Sequence, residues 1–323
     1  MYSFTGFALL KSTKISEMKI FDTLRFDQRN STWINGERLL YPQVRMCALS
    51  IDLESWVHRQ TSCTLDSKYK KELDQGYIER ATLNLLSLLN KYNRKVTFFV
   101  VSEIFDWYPD VIQRIKEHGH EIAYHTHTHR RIKTKQELVE EIRKSKNFIQ
   151  EFEPIGFRAP EAKIRAEYLE ILAKYGFKYD SSSYGTLDTS TKIHGIREIP
   201  ISTFRFWFLN SSGDLNFQQS AIKKMLIGEL PLGSGFFMST LDPIARILPS
   251  LLSFHNKVPV LFVHPWQIIT YKTFLPTYKN TMFKRIELSL YSRKCLGSFV
   301  YLLRYFQTIL MKDLAYKLEI GEI

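Results

Sequence analysis

From about residue 45 the chain alternates short apolar runs with stretches of helical periodicity, roughly every 25 residues through its first half. "MCALSI", from Met46, has the length and composition of a buried strand. "YIERATLNLLSLLNKYN" follows, with Ile78, Ala81, Leu85 and Leu88 or Leu89 on one helical face. "KVTFFVV" reads as a second buried strand. "PDVIQRIKEHG" opens on Pro109, which suits a first helical turn, and ends on Gly119, which suits a left-handed cap. "HEIAYH" is the next strand. "TKQELVEEIRKSKNFIQEF" is a helix whose Thr134 and Glu137 stand at capping-box spacing. "IGFRAP" is a strand ended by Pro160, and "EYLEILAKYG" a helix closed by Gly176. "FKYDSS", "REIPIS" and "VPVLFVH" read as further strands. The pattern predicts an α/β protein built on a parallel sheet or barrel.

In such folds ligands gather where strands end. The polar residues at those points are Asp52 and Glu54 after "ALSI", His125 to His129 after "EIAY", Arg158 after "IGF", Asp180 after "FKY" and His264 after "VLFV". His125 and His129 fall on one side whether the chain turns helically or stays extended, a common way to grip one divalent ion. His127 joins them only in the extended case. Asp52 and Glu54 alternate by two, so both can point into one mouth. Adjacent carboxylates repel unless a cation or proton intervenes, and one as ligand with one as base resolves the conflict. The bland alternative is a helix cap and a surface ion pair.

Other features bound the partners. The 323 residues suffice for one large domain or two smaller ones, and the net charge is +12. No zinc-finger spacing, RNA-binding signature or basic heptad helix accompanies that charge, so nucleic acid is not an expected partner. The excess reads either as a basic solvated surface or as contact with an anionic membrane surface. Three cysteines, Cys47, Cys63 and Cys295, form no close pair and argue against a disulfide framework. The start, "MYSFTGFALLKSTKISEMKIF", makes a poor signal peptide, so a cytoplasmic location is expected, with the inner membrane face as a peripheral option. "LGSFVYLLRYFQTILM" is interrupted by Arg304 and reads as an amphipathic helix, packed on the core or lying on a membrane. Residues 1–44 look like an extension, with a hairpin signal at Asn35-Gly36, and 45–323 like one catalytic domain.

Taken in order, "SIDLESW", "TFFVVSEI", "GHEIAYHTHTH", "GFRAPEAKI", "GFKYDSSSY", "EIPISTFR", "GSGFF" and "LFVHPWQI" resemble the polysaccharide deacetylases of the NodB-homology type, carbohydrate esterase family 4. The likeness is strongest to the branch found with exopolysaccharide and O-antigen synthesis. It runs from about Cys47 to Trp266. The resemblance implies a deformed (β/α) barrel and metal-dependent hydrolysis of N-acetyl groups on a sugar; in a cytoplasmic enzyme that sugar would be lipid-linked or nucleotide-linked. It casts Asp52 as general base and Glu54, His125 and His129 as ligands of a divalent metal, zinc being expected. It casts Arg158 as the residue that steadies the base, His264 as general acid, and Asp180 as the acid that tunes His264. Gly235, Phe236 and Trp266 become candidates for substrate contact. Two positions depart from the branch: Ser55, where an aspartate is common, and Gln267, where a glutamate is common. An O-acetyl esterase, another amide hydrolase, or a sugar-binding protein with a decayed site are the competing readings.

Overall fold

The computed structural model describes residues 45–60, 64–205, 229–240, 242, 258–269 and 294–323. The expected extension 1–44 and Cys63 lie outside the described residues. Strand β1 (Met46–Leu53) leads into helices α1 (Trp56–Gln60), α2 (Ser67–Asp74) and α3 (Tyr77–Lys91). Then come β2 (Thr97–Val100), α4 (Glu103–Trp107), α5 (Pro109–Glu117), β3 (Glu121–Tyr124), α6 (Lys135–Lys144), α7 (Lys146–Phe152) and β4 (Gly156–Phe157). Helix α8 (Leu169–Lys174) precedes short strands β5 (Tyr179–Asp180), β6 (Tyr184–Gly185), β7 (Lys192–Ile193), β8 (Ile196–Glu198), β9 (Ile201–Ser202), β10 (Phe204–Arg205) and β11 (Glu229–Leu230). The remaining elements are α9 (Gly235–Thr240), β12 (Val260–Val263), α10 (Pro265–Ile268), α11 (Leu296–Tyr305), β13 (Gln307–Thr308) and α12 (Met311–Glu319).

The main sheet runs β12-β1-β2-β3-β4-β5-β8-β7, with β13 also on β1. Every pairing in it is parallel except β7 with β8. This is the α/β class expected. Among the described residues the strands form an open path, which a deformed barrel allows.

Alternation along each strand sorts side chains into two faces. On one face Leu49 and Ile51 of β1, Phe98 and Val100 of β2, Ile122 and Tyr124 of β3, and Leu261 and Val263 of β12 pack with the helices. On the other, Ala48, Phe99, Ala123, Tyr179 and Val260 form a second apolar cluster with Met311 and Leu314 of α12. Ser50 and Asp52 follow Ala48 in that parity, His125 follows Ala123, and His264 follows Val260. The sequence therefore delivers these four polar residues to the second face.

Local signals explain the element ends. Thr134 and Glu137 form the reciprocal cap at the start of α6. Pro109 opens α5, and Gly119 and Gly176 take φ of +73° and +92° just beyond the helices they close. The single helix expected over 134–152 is two. Ser145, between α6 and α7, donates its hydroxyl to the Glu141 carbonyl and pairs with Tyr124 Oη and Ser102 Oγ. Such back-bonding bends a helix. The late apolar stretch is likewise divided, into α11, β13 and the first residue of α12. Ser298, Phe299, Leu302 and Leu303 of α11 are buried, so α11 packs on the core. No helix among the described residues is long and apolar enough to cross a membrane.

Candidate active site

The second face of the sheet ends in a buried polar group. Arg158, just past β4, is 1% exposed, and each of its three side-chain nitrogens donates a hydrogen bond. Its Nη1 donates to Asp52 Oδ1 at 2.6 Å and to Ser50 Oγ at 2.9 Å. Its Nε and Nη2 donate to the carbonyl and hydroxyl of Ser181, each at 2.9 Å. The guanidinium lies 4.0 Å from the Phe99 ring centre and 5.1 Å from that of Phe262. Ser50, Ser181, Phe99 and Phe262 were not singled out from the sequence. The signal for Ser50 was its position two residues before Asp52 on the same face.

Glu54 turns back under Asp52, its N–H bonded to the Asp52 carbonyl at 3.0 Å. Its carboxylate meets two rings: Oε2 stands 2.8 Å from His129 Nε2, and Oε1 stands 3.1 Å from His264 Nε2. Burial works against the charge, but the His129 and His264 contacts overcome it and hold the Glu54 carboxyl well below its usual range. The His129 contact is close yet misaligned, so Oε2 is buried with no hydrogen-bond partner.

His125 lies beside His129, ring centres 5.1 Å apart. Its Nδ1 faces the Arg158 carbonyl at 2.7 Å, which places the proton on Nδ1 and leaves the Nε2 lone pair free. Burial pushes this imidazole down to about 4, against the pull of Asp52 and Glu54, so it is neutral at pH 7. The loop is pinned by Glu141, a residue the sequence did not flag, which accepts from the N–H groups of His127 and Thr128. Thr126 and His129 take φ of 63° and 58°, a left-handed backbone costly for side-chain-bearing residues. His127 turns elsewhere, toward Ser102 Oγ at 2.9 Å and Asp106 at 3.8 Å.

His264 is held from the far side. Gln267 Oε1 accepts from the His264 backbone N–H at 2.9 Å and lies 3.1 Å from Nδ1. The backbone contact identifies that atom as the oxygen, so Nδ1 carries the proton and Nε2 faces Glu54.

Three expectations change here. Asp180 does not reach His264. Ser181 faces Arg158, and alternation sends Asp180 to the opposite side, where it accepts from Ser182 Oγ at 2.6 Å and neighbours Glu198 across the strands. Burial pushes both carboxyls up. Trp266 is 4% exposed and stacks on His264 at 4.5 Å and 12°, so it supports that ring and offers no open face to a sugar. Gly235 is also buried; a Cβ there would stand 2.3 Å from Gln267 Oε1, so its lack of a side chain makes room for the group that holds His264. Phe236 is half-buried, packed on the core and edge-on to Phe237.

No set of three or more His, Cys, Asp or Glu side chains among the described residues is spaced to hold a metal ion as it stands. The donors nevertheless fit one in kind: an orphaned buried carboxylate oxygen, a neutral imidazole with a free Nε2, and a second imidazole against both. Ligand bonds of about 2.0–2.1 Å in a tetrahedral site hold donors about 3.3 Å apart. The 2.8 Å between Glu54 and His129 is short of that by only about 0.5 Å.

Residues 66–179 match the model of the polysaccharide deacetylase family. The matched segment contains His125, His129 and Arg158; Asp52, Glu54 and His264 fall outside it. A peptidoglycan-N-acetylglucosamine deacetylase of Bacillus cereus is 32% identical over 79 residues, which cover 23% of this chain and only 29% of that protein's length. Among solved structures, a Mycobacterium smegmatis protein described as a polysaccharide deacetylase is 16% identical, covering 88% of this chain and 93% of its own, with a TM-score of 0.49. The peptidoglycan deacetylase PdaC of Bacillus subtilis is 12% identical, covering 88% and 96%, with a TM-score of 0.45.

Proposed function

We propose that this chain, which matches the polysaccharide deacetylase family over residues 66–179, hydrolyses the N-acetyl group of a sugar with a divalent ion held on Glu54, His125 and His129. The observation that carries the reading is the meeting of the Asp52–Arg158 pair, Glu54, His125, His129 and His264 at the ends of separate parallel strands. Zinc bound there would polarise the acetyl carbonyl and lower the pKa of a water. Asp52, fixed by Arg158, takes the proton of the attacking water. His264, its Nδ1 tied to Gln267, directs Nε2 into the site and gives a proton to the leaving amine. Acetate and the free amino sugar depart.

The substrate we infer is an N-acetylated sugar of surface-polysaccharide synthesis, in the exopolysaccharide or O-antigen class, carried on a lipid or a nucleotide. Support comes from the ordered motifs and from a net charge of +12, which suits an anionic carrier or membrane face. An O-acetyl ester could be cut by the same groups, and an acetate-release panel of N- and O-acetylated sugars separates the two.

The deciding experiment is metal content per chain, measured on protein purified without a His tag or added metal, beside Glu54→Ala and His129→Ala. About one zinc in the wild type, lost in both variants, is expected. His264→Ala should keep the zinc and lose about 10²–10⁴-fold in kcat. A second reading, a sugar-binding protein without turnover, is favoured by the closed Glu54–His129 contact. It takes the lead if folded protein binds no zinc even when zinc is supplied.

A further inference from the structure

Beside the site lies a second buried ionic group that the reaction does not use. Lys70 of α2 and Glu103 of α4 are each 1% exposed, and Lys70 Nζ donates to Glu103 Oε2. His58 of α1 lies 3.1 Å from the same oxygen through Nε2, while its Nδ1 accepts the Ser55 N–H at 3.0 Å. That second contact fixes the tautomer: Nδ1 is the acceptor, so Nε2–H donates to Glu103. Trp107 stacks on the His58 ring at 5.1 Å and 9°. Ser55 is the residue after Glu54, and its hydroxyl donates to Asp74.

Glu103 also reaches the other half of the site. Its backbone N–H donates to the His127 carbonyl at 3.1 Å, and the preceding Ser102 N–H donates to the Thr126 carbonyl at 3.0 Å. One residue thus grips the loop of His125 and His129 through its main chain and the loop of Glu54 through its side chain and His58. Burying an ammonium and a carboxylate is a poor way to gain stability, since apolar residues of like size do as well or better. The pair needs another reason to be there.

We propose that Glu103, buttressed by Lys70, is a positioning residue that sets the separation of Glu54 from His129 and so the affinity of this site for its ion. The proposal rests on the metal-site reading above. It assigns the ion pair to geometry, acting through His58 and Ser55 N–H.

The test is a pair of double variants. Lys70→Met with Glu103→Leu removes both ions and leaves His58 Nε2–H without an acceptor. Lys70→Met with Glu103→Gln removes the ions but keeps an acceptor for His58. Zinc affinity, measured by competition with a chelating dye, should fall about 10–100-fold in the leucine variant and return most of the way in the glutamine variant. The urea midpoint of the leucine variant should fall by no more than one buried unpaired N–H costs, about 1–3 kcal/mol, because removing both ions leaves no lone charge. A second readout needs no metal: diethyl pyrocarbonate labelling of His129, followed by mass spectrometry, should be faster in the leucine variant than in the wild type or the glutamine variant. If the wild type binds no zinc, the functional reading fails and the labelling still decides this proposal. Equal zinc affinity and equal labelling in all three proteins would overturn it. Should the leucine variant not fold, His58→Phe keeps the stack on Trp107, removes both ring hydrogen bonds, and takes the same measurements with the same expected directions.

Discussion

Arg158 Nη1 and Asp52 Oδ1, 2.6 Å apart and both buried, form the rigid pair on which the site is built. The guanidinium uses its planar fork on Ser50, Asp52 and Ser181 at once, and lysine cannot reproduce that geometry. Removing one partner of a buried pair leaves the other charge uncompensated, at a cost of about 3–5 kcal/mol. Arg158→Met should therefore lose stability on that scale in urea titrations, and Arg158→Lys should recover only part of it. Asp52→Asn should fold, retain zinc, and lose kcat by about 10²–10⁴-fold as a missing base would. Wild-type kcat in Asp52→Asn would remove it from the chemistry.

Gly235 and His264 are linked through Gln267. A methyl group at 235 would collide with Gln267 Oε1, the atom that holds the His264 Nδ1–H and N–H. Gly235→Ala should shift the ring and lower kcat by about 10²-fold, the usual cost of an ångström-scale misplacement, with KM nearly unchanged. Gln267→Leu should do the same. A change in KM alone in Gly235→Ala would return this glycine to the role of a sugar contact.

Much of this site was legible because parallel strands obey a period of two. Counting by twos from Ala48 gives Ser50 and Asp52, from Ala123 gives His125, and from Val260 gives Phe262 and His264. The same count places Asp180 on the face opposite Tyr179 and Ser181, and so away from the groups that the family likeness sets beside it. Trp266 was ambiguous in sequence because a sugar platform and a ring support need the same aromatic surface. The Lys70–Glu103–His58 group could not be read at all. Its contacts join residues 33 and 45 positions apart, across helices too short for their periodicity to register. Nor does sequence predict that Ser145 divides one helical pattern in two, because its partners Tyr124 and Ser102 come from a strand end and a loop.

His120 should make the fold sensitive to mild acid. Burial, with help from Lys95 and His118, pushes its imidazole down from 6.5 to about 4, and its Nδ1 accepts the Val96 N–H at 3.2 Å. A base with a depressed folded-state pKa binds its proton more readily unfolded, so stability falls as pH drops from about 6.5 toward 4. One such group contributes a slope of at most about 1.4 kcal/mol per pH unit. His127, pushed down to about 4 mainly by burial, adds to it. Urea titrations between pH 7 and 5 should show the decline, and His120→Asn, which keeps an acceptor for Val96 without titrating, should flatten it. An unchanged slope in that variant would mean the lost stability originates elsewhere.

Thr126 gives the sharpest test of strain in the histidine loop. It is fully buried, its hydroxyl has no hydrogen-bond partner, and φ is 63° on a β-branched residue. Replacement by glycine relieves about 1–2 kcal/mol of left-handed strain and about 1–3 kcal/mol from the unsatisfied hydroxyl. Against this stand the lost burial of two carbons, Cβ and Cγ2, about 1.6 kcal/mol, and the greater chain entropy of glycine, about 0.5–1 kcal/mol. The balance favours the variant, so Thr126→Gly should unfold at a urea concentration no lower than the wild type. Zinc affinity should fall in the same protein, because a loop free to leave φ near 60° no longer holds His125 and His129 together. A marked loss of stability would show that packing of the threonine outweighs its strain. Unchanged zinc affinity would show that the hydrogen bonds donated by Ser102 and Glu103 N–H and accepted by Glu141 hold the loop unaided.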